Sequence, residues 1–170
     1  MIDTTLCYLE RGGAWLMLHR VKKKNDINEG KWIGVGGKCE PGETPEQCVR
    51  REVFEETGLV LGRAEYRGIV DFCSNLCEEE RMYLYTSSDF EGKIPVMPDG
   101  SLEERCPEGV LRWVPVREVE SLRLWEGDRI FLRYLREGRP FFHIRLEYRG
   151  DELTVVKDLL GEPETAGEKD

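Results

Sequence analysis

The residues best suited to chemistry sit in one short stretch, REVFEETGL, spanning Arg51 to Leu59. It packs Glu52, Glu55 and Glu56 onto what reads as a helix, where like charges one turn apart repel by roughly a few tenths of a kcal/mol. At 100° per residue the three carboxylates fall within an arc of about 100°. Val49 and Val53 lie beside that arc, which places the carboxylates at the edge of a buried face. Arg51 stands four residues before Glu55 and is placed to pair with it, leaving Glu52 and Glu56 unpaired. Two readings are open. One is a solvated acidic face crossed by Arg50 and Arg51. The other is a set of hard oxygen ligands for Mg²⁺ or Mn²⁺, ions that bridge to substrate phosphates.

The segment just upstream, GGKCEPGE, bears on that choice. Gly36, Gly37 and Gly42 permit positive φ and close backbone approach. A glycine-rich turn feeding a helix is either an ordinary turn or a place where backbone groups meet phosphate or metal.

Taken together, GKCEPGETPEQCVRREVFEETGL from Gly37 to Leu59 resembles the Nudix box, G-x5-E-x7-R-E-U-x-E-E-x-G-U with U a bulky apolar residue, and matches it at every specified position. The resemblance implies an α/β/α sandwich with a mixed β-sheet and two main helices. It also implies Mg²⁺-dependent hydrolysis (Mn²⁺ as a substitute) of a nucleoside diphosphate linked to another group, by metal-assisted attack of water on phosphorus. By position, Glu52, Glu55 and Glu56 become metal-binding carboxylates and Arg51 orients them. Glu43 and the Gly36 and Gly37 backbone support the metal, and Lys38 meets a phosphate. A further carboxylate from outside the box is implied at Glu108, in CPEGVLRWVPV, as metal ligand or general base; the alternative is an exposed loop acid.

Two other stretches, NEGKWIGVGGK and LWEGDRIFLRYLREGRPFFHIRLEY, resemble the MutT-like branch of the family. That branch implies a nucleoside triphosphate diphosphatase, releasing monophosphate and pyrophosphate, with oxidised purines such as 8-oxo-dGTP as leading substrates. The branch's human member carries a tryptophan followed by two adjacent aspartates. Here Trp125 falls on the tryptophan, Asp128 on the second aspartate, and Gly127 replaces the first. Trp125 is either a stacking face for a base, worth about 1–3 kcal/mol, or a core residue. Asp128 is either a hydrogen-bond partner of the base or an exposed acid favoured by the helix start. Ile33 stands where that member has asparagine and offers no polar contact. Another Nudix substrate (ADP-ribose, NADH, a dinucleoside polyphosphate) is the first alternative, and a non-catalytic nucleotide-sensing module the second.

These residues need a scaffold. TTLCYL (4–9) and AWLMLH (14–19) read as a hairpin turned by ERGG, followed by a polar basic loop and the glycine-interrupted strand WIGVGG. The helix signal over 45–57 is a capping box, Thr44 with Gln47, with Pro45 at its first position and Gly58 as its stop. Strands are expected at 65–74, 81–88 and 111–116, a loop over 89–109, and a second helix over 126–137. A closing hairpin, 141–148 with 152–156, turns at RGD. The domain is expected over 1–158, and the polar tail 159–170 is expected to fray.

The 170 residues, 39% hydrophobic, suffice for one core. A net charge of −9 argues against a general nucleic-acid binder. No apolar run is long enough for a bilayer span and no signal peptide is evident, so a cytoplasmic protein with a small-molecule nucleotide partner is expected. The six cysteines then read as free thiols, and a zinc site from Cys73, Cys77, His19 and His143 is weakly supported.

Overall fold

The structure is a computed structural model that describes residues 1–102 and 106–161. In chain order the strands and helices are β1 (Ile2–Arg11), β2 (Ala14–His19), β3 (Trp32–Ile33), β4 (Val35–Lys38), α1 (Pro45–Thr57), β5 (Val60–Leu61), β6 (Glu65–Ser74), β7 (Cys77–Ser87), β8 (Phe90–Glu91), β9 (Val110–Pro115), α2 (Glu126–Arg136), β10 (Phe142–Arg149) and β11 (Glu152–Asp158), with a 3₁₀ helix at Val116–Ser121. The main sheet runs β11-β10-β6-β7-β1-β2-β3, with β4 also on β1 and β9 also on β2. It is mixed, because β1 pairs with β7 and β6 with β10 in parallel while the other pairs are antiparallel.

The sandwich follows from alternation along the first two strands. Thr4 to Leu9 are all buried, as a strand covered on both faces requires. Leu6 and Tyr8 of β1, with Trp15 and Met17 of β2, join the core that α2 closes with Phe131, Leu132 and Leu135. Cys7 and Leu9, with Leu16 and Leu18, face the other way and meet Val49 and Val53 of α1. Each fully buried valine contributes about 1.5–3 kcal/mol relative to exposure, so α1, and the carboxylates it carries, is held firmly to the sheet. β1 lies along β7 on one side and on the other is shared between β4 (Thr4–Cys7) and β2 (Glu10–Arg11).

The expected capping box is present: Gln47 N–H donates to Thr44 Oγ1 at 3.2 Å and Thr44 N–H to Gln47 Oε1 at 3.0 Å. Gly58 caps the other end at φ 74°, its N–H donating to Phe54 O at 2.8 Å.

Elsewhere the structure corrects the expectations. The 89–109 segment is not a bare loop, since Phe90–Glu91 pairs with Val60–Leu61 and Val96 bridges Leu102. β7 starts at Cys77, ahead of the expected 81, because the acidic run continues to pair with β6. WIGVGG is two strands, β3 and β4, on different partners. Of the expected tail, residues 162–170 lie outside the described residues. Among the described residues no helix is long and apolar enough to cross a membrane.

Candidate active site

A cavity of about 510 Å³ opens where α1, β4, β1 and the start of α2 converge. Carboxylates and glycines of one group face it: Glu52, Glu56, Glu108, Gly36 and Gly37, with Lys38. An apolar and aromatic group faces it too: Ile33, Phe72, Met82 and Trp125, with Asp128.

Arg51 organises the first group. Its guanidinium donates to both oxygens of Glu43, Nε to Oε2 at 2.7 Å and Nη2 to Oε1 at 2.9 Å, and Nη2 donates to Lys38 O at 3.0 Å. Its Nη1 donates to Glu52 Oε1 at 2.8 Å and Glu55 Oε2 at 3.1 Å. The expected Arg51–Glu55 pair is therefore formed, but Glu52 is not left unpaired as the spacing suggested. The loop fixes the fork: with Nε and Nη2 on Glu43 and Lys38 O, Nη1 is left to the carboxylates of Glu52 and Glu55. The Arg51 bonds hold the Glu43 carboxyl at about 2. Burial raises the Glu52 pKa, against the pull of Arg51. A Cβ on Gly37 would lie 2.6 Å from the Glu52 carboxyl carbon, so a side chain there would push the Glu52 carboxylate out of its place.

Glu56 is different. It is 7% exposed, its Oε2 is buried with no hydrogen-bond partner among the described residues, and the Gly36 N–H serves its carboxylate. Burial first, then the charges of Glu52 and Glu108, push its pKa up to about 8. A buried carboxylate oxygen without a partner is costly, and Glu56 and Glu108, with carboxylate oxygens within 4.8 Å of one another and Glu52 on the same cavity wall, are a fit for a divalent cation with oxygen ligands. Glu55, half exposed on the far side of Arg51, does not line the cavity.

Glu108 is held from across the chain. Arg20, itself buried, donates to Glu108 Oε2 at 2.5 Å and to Asp26 Oδ2 at 2.8 Å. One Glu108 oxygen is thus fixed by a cation while the residue faces the cavity, which is how a ligand or base is kept oriented.

In the second group, Trp125 is 3% exposed and belongs to the core, yet also lines the cavity. Its indole N–H donates to Asn28 Oδ1 at 2.8 Å, Phe72 and Tyr148 meet it edge-on at 5.2 and 4.9 Å, and the Lys31 ammonium lies 4.2 Å from the ring centroid. Asp128 is not the exposed helix-start acid of the alternative reading: it is 4% exposed, and burial raises it to about 8. Ile33 is half-buried on the cavity wall. Gly127 has a packing reason. A Cβ there would meet Leu146 Cδ1 at 2.5 Å and the Tyr148 hydroxyl at 2.6 Å, and the Gly127 N–H donates to that hydroxyl at 2.7 Å.

The spacing of residues did not single out Arg20, Asp26, Asn28, Phe72 or Met82. They reach the cavity from separate elements, and Arg20 is 88 positions from Glu108. Cys106 was also missed as a neighbour of the site, although its place two residues before Glu108 was a signal. Cys73, Cys77 and the two histidines do not assemble: His143 bonds Asp71 at 2.9 Å and His19 stacks on Trp32 at 4.3 Å. The six thiols are free.

Comparison with known proteins gives the same reading of the chain. The NUDIX domain model matches residues 3–135. The uncharacterized Nudix hydrolase YvcI of Bacillus subtilis is 26% identical over 148 residues, 85% of each chain. The oxidized purine nucleoside triphosphate hydrolase of Danio rerio is 29% identical over 139 residues, 81% of this chain and 82% of that one. A crystal structure of a MutT protein from Bacillus halodurans superposes with a TM-score of 0.79 at 23% identity, over 95% of this chain and 99% of that one, and so shares the fold. With the domain match covering most of the chain and relatives that are hydrolases, this protein belongs to the Nudix hydrolase family.

Proposed function

We propose that the chain is a Mg²⁺-dependent nucleoside triphosphate diphosphatase that releases a nucleoside monophosphate and pyrophosphate and serves to clear oxidised purine deoxynucleotides such as 8-oxo-dGTP. The observation that carries this reading is the buried Glu56 Oε2, without a hydrogen-bond partner among the described residues, on a cavity that Glu52 and Glu108 also line and that has an aromatic and apolar wall. Glu52, Glu56 and Glu108 would hold the cation, Mg²⁺ with Mn²⁺ as a substitute, which when bound neutralises phosphate oxygens and acidifies water.

The remaining roles belong to the chain itself. Arg51 positions Glu52 and ties the glycine loop to α1 through Glu43 and Lys38 O. Glu55, on the same guanidinium, balances its charge at the rim. Glu108, steadied by Arg20, has an oxygen free to take the proton of the attacking water. Lys38, on the cavity edge, is placed to meet a phosphate. The Gly36 N–H keeps the Glu56 carboxylate aimed inward. Trp125, Phe72 and Met82 form an apolar bed for a base, and Asp128, neutral below about 8, can donate as well as accept a hydrogen bond there.

The Danio rerio relative's substrate class supports the oxidised-purine assignment. Ile33, an apolar residue on the cavity wall, favours the second reading, a nucleoside diphosphate derivative such as ADP-ribose, NADH or a dinucleoside polyphosphate. A panel of 8-oxo-dGTP, dGTP, ADP-ribose, NADH and a dinucleoside polyphosphate, ranked by kcat/KM in Mg²⁺, separates them. The first reading expects 8-oxo-dGTP to lead; equal or faster ADP-ribose cleavage removes it. Tight nucleotide binding without turnover in either metal would instead make the protein a sensing module.

A further inference from the structure

The loop that carries Glu108 carries another donor that hydrolysis does not use. Cys106 is 2% exposed, and its Sγ, a Glu56 carboxylate oxygen and a Glu108 carboxylate oxygen all lie within 4.8 Å of one another. The loop is pinned to the segment after β2. Lys22 N–H donates to Glu108 O at 3.2 Å, Lys22 Nζ to Cys106 O at 3.1 Å, and Arg20 grips the Glu108 carboxylate. The thiol is thus built into the site. An independent sign of a missing ligand is Glu56 Oε2, buried and without a hydrogen-bond partner among the described residues.

The donor set decides which ion suits it. Two carboxylates alone suit a hard ion, whereas a thiolate beside them shifts preference toward Zn²⁺, Co²⁺ or Cd²⁺. Zinc takes sulfur at about 2.3 Å and carboxylate oxygen at about 2.0–2.2 Å, in a tetrahedron whose fourth position water or substrate can fill. Donors already within 4.8 Å of each other reach that arrangement by small side-chain rotations.

We propose that Glu56, Cys106 and Glu108 form a binding site for a thiophilic dication, Zn²⁺ above all, which overlaps the magnesium ligands and makes zinc an inhibitor of the enzyme. The inhibition rests on the function proposed above; the binding does not. On binding, the Cys106 S–H bond breaks, its proton passes to solvent and the sulfur lone pair binds the ion. Because the ligand is the thiolate, zinc must displace that proton, and binding weakens as pH falls.

The test titrates metal-free, full-length protein with Co²⁺ and follows the thiolate-to-cobalt charge-transfer absorption. Wild type should give the band at one equivalent, and Zn²⁺ should abolish it by displacement. Cys106→Ser and Cys106→Ala should lack the band and bind Zn²⁺ at least roughly tenfold to a hundredfold more weakly. Their half-inhibiting Zn²⁺ concentration, each normalised to the variant's own Mg²⁺ rate, should rise correspondingly. Cys39→Ser is the control, because Cys39, Glu43 and Cys48 form the other thiol cluster. A band that survives loss of Cys106 but not of Cys39 overturns the proposal, as does a wild-type cobalt complex with no band. Should the Cys106 variants fail to fold, zinc-edge X-ray absorption on wild type decides: one sulfur at the ion supports the site, none or two refutes it. Absence of Mg²⁺-dependent hydrolysis in zinc-free buffer would remove the functional reading while leaving the cobalt band unaffected.

Discussion

Replacing Glu56 by Gln should stabilise the metal-free protein. Glu56 titrates near 4.5 in an unfolded chain and at about 8 in the fold, chiefly because it is buried and then because Glu52 and Glu108 repel its charge. A raised folded pKa means that the native state holds a proton the unfolded state has released. The native state therefore loses stability as pH climbs from about 4.5 toward 8. At about pH 7.5 the gap amounts to three units, on the order of 4 kcal/mol at about 1.4 kcal/mol per unit. Glutamine keeps an acceptor for the Gly36 N–H but brings an amide NH₂ that must find its own partner, so a gain of roughly 2–4 kcal/mol is expected. At about 2–4 °C per kcal/mol for a chain of this size, Tm should rise by roughly 5–15 °C near pH 7.5 and hardly at all near pH 4.5. Magnesium should offset most of that difference: at about 100 times Kd it adds about 2.7 kcal/mol to wild type and little to the variant. Differential scanning calorimetry in EDTA and in Mg²⁺, across pH, measures all of this. A variant less stable than wild type in EDTA near pH 7.5, or a difference that does not change with pH, would refute the reasoning.

Other perturbations have equally definite outcomes. Arg51→Lys keeps a charge but cannot span Glu43, Glu52 and Lys38 O, so Mg²⁺ affinity by calorimetry should fall about 10–100-fold with the fold retained. Thr44→Ala removes the side-chain half of the capping box and should cost about 1 kcal/mol, or roughly 2–4 °C in Tm. Gly127→Asp, which would restore the paired aspartates of the MutT-like branch, should lower stability by about 1–3 kcal/mol because Leu146 and the Tyr148 hydroxyl occupy its space. Unchanged Tm in that variant would show that this packing is looser than described.

How much of this was legible in the chain depends on how local the signal is. The helix over Pro45–Thr57 was readable to the residue because its cap, its proline and its stop are all encoded within a few positions. β1 and β2 were readable from their buried runs, with β1 extending beyond 4–9 at both ends. β5 and β8 were not, since two-residue strands carry no periodicity and exist only because they meet each other. The site divides the same way. The box acids were marked by spacing, but Glu52 taking a share of Arg51 depends on where the loop carbonyl of Lys38 falls. The Arg20–Glu108 pair, and Cys106 against Glu56, are meetings of distant segments that no local pattern announces. Asp128 was open between a hydrogen-bond partner of a base and an exposed helix-start acid, and its burial removes the second.

The central claim is that a Glu56-centred cation site drives cleavage between phosphates. The most direct measurement is pyrophosphate release from 8-oxo-dGTP as a function of Mg²⁺, for wild type and Glu56→Gln, with both shown to be folded by their melting curves. Wild type should be inactive in EDTA and saturate with Mg²⁺, and the variant should lose at least about a hundredfold in kcat. A folded variant that releases pyrophosphate at the wild-type rate, or a wild-type rate indifferent to EDTA, would contradict it.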